Sequence, residues 1–180
     1  GFPKPNDGLV NVQVLANGIQ DDQLPPKPFA GDSWTYKLTR RLIINEFLAS
    51  NNTGPVDENN EHDDYVEIYN PTREPVDMSG MFLTDDLDSP ALFRIPDGVI
   101  APALGFVRFW CDSQPAQGPL HTNFNILRAG EDLGLYDTEA NGMAPIDTFT
   151  FTMQTSDIAT GRFPDGVDGF VAMPPTPNAP

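Results

Sequence analysis

Apolar and polar positions along the chain recur with the short period of β-structure. Within Leu9–Leu15, Val10, Val12 and Val14 alternate with Asn11 and Gln13, and Asn17-Gly18 reads as the turn that closes this strand. A proline cluster at Pro25, Pro26 and Pro28 predicts an extended linker, after which Trp34, Tyr36 and Leu38 alternate again. From Leu42 onward, short apolar runs fall between turn signals. They predict strands over Leu42–Ala49, Tyr65–Tyr69, Met81–Thr84, Phe93–Ile95, Phe106–Cys111, Leu133–Tyr136, Ile146–Met153 and Phe170–Met173. Asn70-Pro71, Ser79-Gly80, Pro96-Asp97-Gly98, Gly105 and Gly130 punctuate the series.

Many short strands at regular spacing point to an all-β fold, an immunoglobulin-like antiparallel β-sandwich with an extra extended segment at its N-terminus. The expected division is a strand and Pro-rich linker segment over residues 1–41 and a sandwich over residues 42–180. Leu38–Ala49 is ambiguous. It lacks Gly and Pro and could set Leu38, Leu42 and Asn45 on one helical face, but the β-branched pair Ile43-Ile44 favours a strand. Phe106–Cys111 is apolar on both faces, with Val107, Phe109 and Cys111 on one and Phe106 and Trp110 flanking Arg108 on the other. A sandwich strand needs only one buried face. The second is therefore either covered by the N-terminal segment or open as an aromatic patch, where Phe106, Arg108 and Trp110 would form a ligand-binding site.

Composition narrows the function classes. Of 180 residues, 39% are hydrophobic and 20% charged, a globular balance. The 26 acidic against 10 basic residues give a net charge of −16, and no lysine follows Lys37. Such a surface repels phosphate backbones and anionic headgroups, so no nucleic-acid partner is expected. No apolar run is long enough to insert in a membrane. The single cysteine, Cys111, sits beside Phe109 and Trp110 and reads as a buried, inert thiol. The chain opens on Gly1 without a leader pattern, as a piece of a longer protein would.

Candidate chemistry is sparse. Two histidines, His62 and His121, cannot furnish a clustered zinc site, and neither His-Glu-x-x-His nor Gly-x-Ser-x-Gly occurs. His121 is expected to tie a loop to the backbone. Glu46 and Glu67 are expected to cap backbone donors or face water rather than act as a catalytic pair. Asp57, Asn59, Glu61 and Asp63 place oxygens at alternate positions, as the start of a calcium loop does, with Asp64 able to join them. The pattern then fails, because His62 stands where the loop needs glycine and Ile68 where it needs glutamate. A solvated acidic loop is the default and a loose calcium site the alternative. The same holds for Asp85, Asp86 and Asp88. Arg162 is expected to pair with a carboxylate and fix a loop.

Several words stand in a recognisable order: Ile44–Phe47, Asp64–Pro71, Val76–Gly80, Leu83–Asp86, Ile95–Gly98, Leu120–Phe124, Gly161–Gly166 and Pro175–Ala179. Together they resemble the lamin tail domain in its bacterial form, over about residues 42–180. The resemblance implies an immunoglobulin-like sandwich without catalytic residues or a required cofactor, attached to secreted or envelope proteins of bacteria. It further implies an accessory module that positions a neighbouring domain or contacts a protein or cell-surface component. The alternative is a specific extracellular glycan- or protein-binding domain, assisted by calcium. No coiled-coil heptads precede the domain, so a filament role is unsupported.

Overall fold

The computed structural model describes residues 8–14, 32–38 and 42–179. The chain divides into two compact units, Gly1–Arg40 and Arg41–Pro180. In the first, β1 (Gly8–Val14) and β2 (Asp32–Leu38) pair antiparallel as a two-stranded ribbon, with Val14 opposite Asp32. The expected Asn17-Gly18 turn and the proline cluster lie outside the described residues.

The second unit is two facing antiparallel sheets. One joins β3 (Ile43–Leu48), β4 (Tyr65–Tyr69), β9 (Phe106–Trp110), β12 (Ala159–Gly161) and β13 (Val171–Met173), in the order β13-β12-β3-β4-β9. The other joins β6 (Phe82–Thr84), β7 (Phe93–Arg94), β10 (Asp132–Tyr136) and β11 (Pro145–Thr150), in the order β11-β10-β6-β7. A short ribbon of β5 (Val76–Asp77) and β8 (Ile100–Ala101) completes it. The only helical element among the described residues is a 3₁₀ turn at Glu139–Asn141.

The core lies between the sheets. Ile44, Phe47, Val66, Ile68, Val107 and Phe109 of the five-stranded sheet pack with Leu83, Phe93, Leu133 and Leu135 of the other. Each such side chain, once buried, contributes about 1.5–3 kcal/mol of transfer free energy. Aromatic rings lock the layers: Phe93 meets Phe109 edge-on at 6.4 Å, and Phe47 meets Phe149 at 5.9 Å and Phe151 at 4.5 Å. The alternation expected to run on to Met153 stops earlier, because β11 ends at Thr150 and Met153 is 72% exposed.

The ambiguous stretch is a strand with a bulge. Ile44 pairs with Ile68 and Glu46 with Glu67, so Asn45 is an extra residue. The bulge lets Ile44 and Phe47, three apart, both face the core, and turns Glu46 to the outer face. Asn45 anchors a loop instead: its Nδ2 donates to Asp165 Oδ1 at 2.9 Å, and its Oδ1 accepts from Gly166 N at 3.0 Å.

Candidate functional site

The site residues stand on the outer face of the five-stranded sheet. Pairing across β3, β4 and β9 sets three rows there: Leu48, Tyr65 and Trp110; Glu46, Glu67 and Arg108; Ile43, Tyr69 and Phe106. An acidic and basic row thus runs between two apolar ones. Trp110, Tyr65 and Leu48 form a second small core with Ala159, and Met173 packs on it.

The C-terminal segment crosses this face and covers part of it. Thr176 N donates to both Glu46 oxygens at 3.2 Å, Thr176 Oγ1 donates to Oε2 at 2.7 Å, and the Tyr65 hydroxyl donates to Oε1. One strand further, Asn178 N donates to Glu67 Oε2 at 2.6 Å. Both glutamates therefore cap backbone donors. Burial, opposed by the Asn178 N–H and reinforced by Glu46, raises the Glu67 pKa to about 7.

The strap reaches the cavity that Arg108 lines. Asn178 lines a cavity of about 480 Å³ with Glu58, Ile100, Phe106, Val107, Arg108, Trp110 and Leu120. All three residues expected to bind a ligand line this one cavity. They do not form an open aromatic patch, because Trp110 is 3% exposed and Phe106 packs in a tilted pair with Tyr69 at 4.9 Å between ring centroids. Trp110 is instead the platform for Arg108, whose guanidinium carbon lies 4.1 Å from its ring centroid and 5.6 Å from that of Tyr65. The half-buried guanidinium forms no hydrogen bond or ion pair with a described residue. Five N–H donors are left for an acceptor.

The acidic loop uses its oxygens differently from the calcium expectation. Asp57 is buried and shapes the turn, its Oδ1 accepting from Asn59 N and Glu61 N at 2.8 Å each. Burial opposes ionisation of Asp57, but these backbone donors outweigh it and hold its pKa low. Carboxylate oxygens of Asp57, Glu61 and Asp63 come within 4.8 Å of one another, and Asp63 Oδ2 is buried without a hydrogen-bond partner. Asp64 is not part of this cluster, while Asn59 lies beside Asp57. Asn59 Nδ2 donates to Asp57 and Gln117, and Asp64 Oδ1 accepts from Asn51 N at 2.7 Å. Asp85, Asp86 and Asp88 do not form such a cluster; Asp86 accepts from Asp88 N as a turn former.

His121 departs from expectation. Its fully buried ring ties to side chains, not to the backbone, with Nδ1 at 2.5 Å from Asp112 Oδ2 and Nε2 at 3.0 Å from Glu58 Oε1. Burial disfavours the charged ring, yet the two carboxylate hydrogen bonds prevail and raise its pKa. Sequence reasoning missed this triad, because its members lie up to 63 positions apart and the strand pairing that joins them has no local pattern. Arg162 behaves as expected, its NH2 donating to Asp147 Oδ2 at 3.1 Å. Cys111 is buried in the core, and burial pushes its thiol pKa well up.

Two packed antiparallel sheets, with carboxylates occupied in capping, define an immunoglobulin-like sandwich. The sequence pattern of the lamin tail domain matches residues 37–153, and the chain belongs to that family of non-catalytic interaction domains. Neither a curated protein nor a solved structure matches the chain. The family match stops before β12 and β13, which continue the same sheet and carry the strap.

Proposed function

We propose that this domain is a non-catalytic accessory module of a larger bacterial protein, secreted or held in the cell envelope, that holds a neighbouring domain or a surface partner at the β9 face. The observation that carries this reading is Arg108, whose guanidinium lies over Trp110, lines the cavity and has no hydrogen-bond acceptor among the described residues. A half-buried guanidinium held over an indole ring is a positioned donor for a partner's carboxylate or carbonyl oxygen. Enzymatic work at this face is disfavoured. Glu46 and Glu67 are held by Thr176 and Asn178, leaving no free pair to act on a substrate. A second reading, a glycan- or protein-binding domain assisted by calcium, draws on the Asp57, Glu61 and Asp63 oxygens.

The test is binding of the parent protein's neighbouring domains to the wild-type chain, Arg108→Gln and Trp110→Ala. Arg108→Gln is expected to weaken binding at least tenfold while melting within a few degrees of wild type. Trp110→Ala is expected to lose about 3–5 kcal/mol of stability, because it removes the platform and opens the small outer core. Unchanged affinity in Arg108→Gln would place the partner elsewhere.

A further inference from the structure

We propose that the open stretch of β9 at Phe106–Arg108 takes an extended peptide segment as an added strand, with one acidic side chain of that segment seated on Arg108. The inference rests on the β9 face being the binding surface and adds what binds there and how.

Strand β9 is the edge of its sheet, paired on one side with β4. In an antiparallel pair, successive residues point their backbone groups alternately toward and away from the neighbour. Trp110 points away: its N donates to Leu120 O and its O accepts from Thr122 N, both at 2.8 Å. Arg108 and Phe106, two and four positions earlier, point the same way. Their N–H and C=O groups have no partner among the described residues. The edge already accepts an added segment at Trp110, where His121 forms a parallel bridge, and beside it no described residue pairs with it. Phe106 and Arg108 line the cavity together with Val99, Ile100, Pro119 and Leu120. A proline there supplies no N–H to the edge.

Strand geometry sets the chemistry of the occupant. A residue directly opposite Arg108 on an added strand puts its side chain on the same outer face, about 5 Å away between Cβ atoms. The guanidinium, with no hydrogen bond to a described residue, favours a carboxylate there, in addition to the nearby charges of Glu67, Glu58 and Glu46. Residues on either side point to the other face, toward Val99, Val107 and Leu120, and must be apolar. Further acids are disfavoured, because Glu58 lines the same cavity and the whole chain carries −16. The pattern is apolar–acidic–apolar in extended form, the strand-addition mode of peptide recognition.

The probe is fluorescein-labelled Thr-Val-Glu-Val-Thr with blocked ends, titrated with the full chain. Saturable binding is expected. It should weaken at least tenfold when the glutamate becomes lysine, and at least tenfold when the central three amides are N-methylated. Arg108→Glu, shown by its melting curve to be folded, should reverse the preference between glutamate and lysine peptides. Binding that needs Arg108 but ignores N-methylation would overturn strand addition and leave the face as a binding surface. No saturable binding would overturn the proposal, and with it the reading of the face only if Arg108→Gln also leaves the neighbouring domains bound. A concentration-dependent dimer of the chain, lost in Arg108→Glu, would overturn it in favour of a second copy at this edge.

Discussion

Glu67 shows how one buried carboxyl ties stability to pH. It lies beneath the strap, accepts a single N–H from Asn178 and has its other oxygen without a partner. Burial first, then the nearby Glu46, lift its pKa from the usual carboxylate range to about 7. A carboxyl raised in the folded state holds more protons than in the unfolded chain between its two pKa values, so stability falls as pH rises through that window. Asp64, lifted by burial to about 6, acts in the same direction. His121, also raised, contributes stability that is present below the ordinary histidine pKa and lost as pH climbs through the folded value. The melting temperature is therefore expected to decline from pH 5.5 to pH 8. Glu67→Gln should make the decline shallower, as read by thermal unfolding at half-unit steps. A melting temperature that rises across this window, or a slope unchanged in the variant, would contradict the assignment.

The loop at Asp57–Asp64 and the strands around it show what the sequence made legible. Alternating oxygens at Asp57, Asn59, Glu61 and Asp63 resemble a calcium loop, but alternation does not reveal that Asp57 folds back to accept Asn59 N and Glu61 N. Asp57→Ala is expected to cost about 1–3 kcal/mol through those two charge-assisted bonds, with Glu61→Ala close to neutral. Millimolar calcium should move the melting temperature little, because Asp57 is already engaged and Asp64 bonds to Asn51. A calcium-dependent rise of several degrees, lost in Asp63→Asn, would instead support the calcium-assisted reading. The long strands were legible because hydrophobic residues alternate along them: Tyr65–Tyr69 matches β4 residue for residue. The two-residue strands Val76–Asp77 and Ile100–Ala101 and the three-residue Ala159–Gly161 were not, since so few residues hold no period. The ambiguity of Leu38–Ala49 has a physical source. The bulge at Asn45 puts Ile44 and Phe47 on one face at a spacing of three, which mimics a helix.

The domain as a whole is a sandwich with one face sealed between its sheets and the other covered in part by its own C-terminal strap. The strap runs from β13 over Glu46 and Glu67 and reaches the cavity at Asn178, beside the β9 end of the outer face. The sequence marked Phe106, Arg108 and Trp110 because a two-faced apolar strand needs an explanation. It did not show that Trp110 is buried and supports Arg108, since the cover comes from residues far along the chain. The proposed interaction role depends on an unpaired β9 edge, and amide hydrogen exchange on the free chain measures it directly. Val107 and Phe109 face β4 and should exchange slowly, whereas Phe106 and Arg108 face outward and should exchange at least a hundredfold faster. Equal protection across all four amides would mean that the edge is already paired, and the binding surface described here would not exist.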